Sequence, residues 1–93
     1  MKLSEIRLED IKDYCGVTDA DSDSLLTAML EGAVSFVFNQ TGLTSEQAEQ
    51  YEDLSVAVMV LVYDMFYNRS VLNGEKVNPI AENILNQHSR NLM

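Results

Sequence analysis

Residues 54–67 read Leu-Ser-Val-Ala-Val-Met-Val-Leu-Val-Tyr-Asp-Met-Phe-Tyr, and no other stretch limits the possible folds as much. The uninterrupted apolar run, Val56 to Tyr63, has eight residues. A bilayer-spanning helix needs about 20, so the segment belongs in a protein core and no membrane partner is expected. Its β-branched residues also permit a strand over 56–62. The helical pattern on both sides, from Ser45 to Arg69, favours a helix. On that helix Tyr51, Leu54, Val58, Leu61, Val62 and Met65 form one stripe. Val56, Met59, Val60, Tyr63 and Tyr67 form a second, roughly opposite. A helix that is apolar nearly all round is buried nearly all round, so this one is expected to be the longest and to lie at the centre.

Three further helices are expected around it. Leu8, Ile11, Tyr14 and Cys15 share one face of a short helix that ends at Gly16. The second, from about Ser22 to Gln40, carries a stripe of Leu25, Leu26, Met29, Leu30, Ala33, Val34, Val37 and Phe38, and stops at Thr41-Gly42. Thr44 and Gln47 have the spacing of a capping box for the long third helix, with Leu43 and Ala48 placed as its hydrophobic staple. After a loop containing Asn73-Gly74, Asn78-Pro79 opens a fourth helix whose inner face holds Ile80, Ile84, Leu85, His88 and Leu92. The expected fold is all-α: one small four-helix domain over residues 1–93, with the long third helix packed by the others.

The charge is unevenly distributed. Residues 1–53 hold twelve acids and three bases, while residues 54–93 hold three of each, for a net charge of −9. No Lys or Arg occurs in the 56 residues from Asp13 to Asn68. Gripping DNA or RNA needs clustered cations, because counterion release supplies most nonspecific affinity. The chain lacks such a cluster. Its acidity serves solubility, favours a basic partner, or keeps a surface from adhering to nucleic acid.

No catalytic or metal set can be assembled from the sequence. Asp19, Asp21 and Asp23 resemble the start of a calcium loop, but its positions 6 and 12 would hold Ser24 and Leu30 instead of Gly and Glu. An acidic turn capping the second helix is expected instead. Cys15 has no motif linking it to the single histidine, His88, and one Cys with one His falls short of a zinc site. Gly42 and Gly74 are isolated turn glycines, outside any phosphate-binding spacing. No cofactor, no metal and no enzymatic activity are expected.

The order of these segments resembles the head–tail connector (head-completion or adaptor) proteins of long-tailed bacteriophages and their prophage relatives, a small all-α family. The resemblance runs over about residues 6–90. It is carried by Leu8-Glu9-Asp10-Ile11-Lys12, the acidic turn, and Leu25 to Ala33. The helix end Asn39-Gln40-Thr41-Gly42, the segment Phe66-Tyr67-Asn68-Arg69 and the final helix opened by Asn-Pro complete it. It implies a structural assembly protein of the virion, made in the host cytoplasm. Such proteins form a ring beneath the portal, extend the DNA channel and join head to tail. The implied partners are further copies of the chain, the portal protein, and a tail or head-completion protein. The isolated chain can be a monomer that forms a ring only on the portal platform. DNA passes through without being gripped, and the acidic composition fits such a lumen, because DNA carries one charge per about 1.7 Å of axis. The side chains expected at subunit or partner contacts are Phe36, off the stripe of the second helix, and Val56, Met59, Tyr63 and Tyr67 on the second stripe of the third. A rival reading uses the same charge differently: a small acidic helical module that sequesters a basic protein partner.

Overall fold

The computed structural model describes residues 1–68 and 79–88. Expectations for Arg69, Asn73-Gly74, Asn78 and Leu92 lie outside the described residues. Within them the fold is all-α. A 3-10 turn, Leu3–Glu5, precedes α1 (Leu8–Cys15), α2 (Asp23–Thr41), α3 (Ser45–Ala48) and α4 (Asp53–Tyr63). A π-helical turn, Asp64–Asn68, extends α4, and α5 runs over Pro79–His88.

Two of the helix ends follow from glycine. Gly16 (φ 73°) and Gly42 (φ 70°) take the left-handed conformation that closes α1 and α2. At the second, the Gly42 N–H donates to the Phe38 carbonyl at 2.9 Å. The preceding Thr41 is fully buried. Its hydroxyl donates to the Val37 carbonyl at 2.8 Å and accepts from the Leu43 N–H at 3.3 Å, so no polar atom of that side chain is stranded.

The expected long third helix is broken. Thr44 and Gln47 do form the capping box, the Gln47 N–H donating to Thr44 Oγ1 at 3.2 Å and the Thr44 N–H to Gln47 Oε1 at 3.0 Å. Helix α3 then stops at Ala48, and residues 49–52 are held by tighter bonds three residues apart, such as Tyr51 N–H to Ala48 carbonyl. Glu46, Glu49, Glu52 and Asp53 would repel one another along a continuous helix. The break gives two of them partners on the N-terminal segment. The backbone N–H and hydroxyl of Ser4 donate to the Glu49 carboxylate at 2.9 and 2.6 Å, and the Met1 amino group pairs with Glu52 at 2.7 Å. These bonds hold both carboxyls below the usual range. Leu3, between those contacts, is buried. The longest helix is therefore α2.

The central position expected for this segment nevertheless belongs to α4. It packs against α1, α2 and α5. Leu54, Ala57, Val58, Leu61 and Val62 are each at most 1% exposed. Facing them from α2 are Leu26, Ala33 and Val37, all fully buried in the same core. Ala33, Ala57 and Ala81, one on each of α2, α4 and α5, are fully buried, and side chains this small let the helices approach closely. Helix α1 contributes Ile11 and Cys15.

Three stripe assignments need correction, the first being Ile80, which is exposed because α5 turns the Ala81–Leu85 face to the core instead. Leu25 is exposed, because the buried arc of α2 runs through Leu26, Met29, Ala33 and Val37 and leaves Leu25 outside it. Tyr14, read as inward-facing, is also exposed. The buried arc of the short α1 is only wide enough for Ile11 and Cys15, four residues apart, so Tyr14 falls at its edge.

Candidate functional site

The second stripe of the central helix does not close over. Val56, Tyr63 and Tyr67 are 45%, 39% and 49% exposed, and Met59 is half-buried. Val60, assigned to the same stripe, is buried. The aromatic part of this surface is built by three rings. Tyr14 of α1 meets Tyr63 edge-on at 5.9 Å between centroids, and Tyr63 lies 4.7 Å from Tyr67. Phe66 supports Tyr67 edge-on at 4.9 Å. The Tyr67 hydroxyl donates to the backbone carbonyl of Cys15, which ties the π-helical turn to the end of α1. Within that turn Asn68 donates to the buried Asp64 carboxylate at 3.1 Å. Aromatic residues held in fixed positions with a polar tip are the type that most often anchors protein contacts.

Phe36 belongs to a different surface. It is half-buried and packed against the core, not lying free on α2. With Leu85 it floors a recess of about 440 Å³ between α2 and α5, and Gln40, Glu82 and Asn86 complete the wall. The five expected contact residues are thus divided between an aromatic surface on α4 with its π turn and a concavity between α2 and α5. Sequence reading missed Tyr14, whose neighbours Asp10 and Asp13 are the signal that its side of α1 faces water.

It also missed the one arrangement that uses His88. Its Nε2 lies 2.9 Å from both carboxylate oxygens of Asp53, and its ring packs on Tyr51 at 4.3 Å. This contact pins the end of α5 to the start of α4. Nothing in the local sequence around either residue announces a partner 35 positions away.

The remaining polar candidates have structural uses. The acidic turn does not cap α2 as expected, since the N-cap residue Ser22 makes no side-chain capping bond; Asp19 instead accepts from the Asp21 N–H at 3.0 Å, folding the turn on itself, and Asp23 pairs with Lys12 at 2.9 Å. Cys15 is buried, and burial pushes its thiol pKa up, away from the reactive thiolate. Among the described residues no three His, Cys, Asp or Glu side chains are grouped to hold a metal, and no helix is long and apolar enough to cross a membrane.

A family model of phage gp6-like head–tail connector proteins matches residues 5–88. The chain belongs to this family. No curated protein and no solved structure matches it. The match covers α1 through α5. Head–tail connectors are structural, not enzymatic. This connector is a virion component, and its partners are components of the phage head and tail.

Proposed function

We propose that this connector assembles as a ring beneath the portal, extends the DNA channel and provides the platform on which the tail joins. The observation that carries this reading is the exposed Val56–Tyr63–Tyr67 surface on a chain of the connector family. A ring of identical subunits needs two different complementary faces on each copy, a heterologous contact that closes by rotation. The α4 surface and the α2–α5 recess are two such faces. The net charge of −9 supports a conduit role, because an anionic wall does not retain phosphate. Ring formation on a portal platform is compatible with weak association in solution, since the platform raises local concentration. Deleting the gene from an otherwise intact phage tests the proposal. Filled heads and free tails that fail to join are expected. Normal numbers of joined particles would overturn it.

A further inference from the structure

We propose that the two surfaces are halves of one contact, in which Tyr63 and Tyr67 of one copy seat in the Phe36–Leu85 recess of a second copy. This rests on the ring reading and specifies its subunit contact. Charge selects the occupant. Two copies, each carrying −9, repel wherever their acidic N-terminal halves meet. Residues 32–45, which supply Phe36 and Gln40, contain no charged side chain. Residues 54–68 contain only Asp64, which is buried and bonded to Asn68. The tyrosine surface and the α2 wall of the recess are therefore where two such chains approach at least electrostatic cost. A basic partner would be drawn to the other half of the molecule.

Shape and chemistry agree with that choice. Tyr63 and Tyr67 present partly exposed rings on α4 and its π turn, and the recess is concave with an apolar floor of Phe36 and Leu85. Its volume, about 440 Å³, accommodates a pair of aromatic side chains. Glu82 and Asn86 on the wall offer oxygens to accept a phenol O–H, and Tyr63 supplies one. The Tyr67 hydroxyl is engaged with the Cys15 carbonyl, so Tyr67 contributes its ring. Each copy carries one projection and one recess, so the contact propagates head to tail and does not pair like with like.

Cysteine pairing tests this even if association is transient. A Val56→Cys chain and an Asn86→Cys chain, both of which keep Tyr63, Tyr67, Phe36 and Leu85, are treated with a short bis-maleimide separately and as a mixture, with wild type as the control for the buried Cys15. The mixture should give the crosslinked heterodimer at least about ten-fold over either homodimer, as a heterologous contact requires. Predominant homodimers, a statistical mixture, or no crosslink at high concentration would each overturn the pairing. The ring reading itself stands or falls separately, on head–tail joining after gene deletion. A second pair of chains, Phe36→Ala and Tyr63→Ala, gives an independent readout in a sedimentation experiment under conditions where wild type forms higher oligomers. Each alone should stop at the monomer, while the mixture should stop at a one-to-one dimer through its single intact contact. Higher oligomers from either variant alone would contradict the proposal.

Discussion

Leu61 is 1% exposed on α4, surrounded by the side chains of a core that α1, α2 and α5 all share. A carboxylate there finds no partner, and burying it costs several kcal/mol against a total stability of about 5 to 15. Leu61→Asp should therefore abolish the helical circular-dichroism signal at 25 °C, and a folded, fully helical variant would disprove the central placement of α4. Glu49 shows a gentler effect. The Ser4 hydrogen bonds lower its folded-state pKa, so the folded chain binds fewer protons than the unfolded one as the pH enters the carboxylate range. The resulting stabilisation is complete above that range and disappears as pH falls through the lowered folded value. Chemical denaturation at a series of pH values should show Glu49→Gln losing stability at neutral pH and converging on wild type in acid. A constant offset at every pH would contradict the assignment. Tyr67 shows why residue-scale reading needs the fold. Its ring is half exposed, as an interface residue should be, yet its hydroxyl ties the π turn to α1. Tyr63 and Val56 are therefore the cleaner probes of the surface.

Among the elements, α1, the termination of α2 and the start of α3 were legible because each rests on local chemistry: Gly16, Thr41-Gly42, and the Thr44–Gln47 box. The break at 49–52 was not. Its cause lies in contacts from Ser4 to Glu49 and from Met1 to Glu52, across some 45 to 51 positions, and periodicity alone reads through such a gap. The exposed part of the second apolar stripe was visible in the sequence, but its division from Phe36 was not, because which face of α2 meets α5 depends on how the helices pack. The docking of α5 depends on a similar long-range contact. Its buried anchors are only Ala81 and Leu85, with Ile84 half-buried. The His88–Asp53 pair and the Tyr51 ring hold its end. His88→Ala should lower the melting temperature by roughly 4–8 °C, the shift expected when about 1 kcal/mol of hydrogen bonding is lost from a chain of this size. Hydrogen exchange should increase first in α5. An unchanged melt with unchanged α5 protection would show that the pin contributes nothing.

At the scale of the whole molecule, the charge and the apolar side chains are divided between functions. In the proposed ring the acidic N-terminal half would repel phosphate, and the segments without charge would supply the aromatic contacts. The connector should show no tight binding to duplex DNA in a gel-shift experiment at low salt, the condition most favourable to electrostatic attachment. Tight, salt-sensitive binding would be incompatible with a channel wall that lets DNA slide. The most direct measurement of the central claim is complementation in extracts of a phage lacking its connector, scored as infectious particles. Wild-type protein should restore joining. A Val56→Asp, Tyr63→Ala variant with wild-type helicity should restore at least about ten-fold fewer particles, because the exposed α4 surface supplies the contact's anchors. Full restoration by that folded variant would contradict the account.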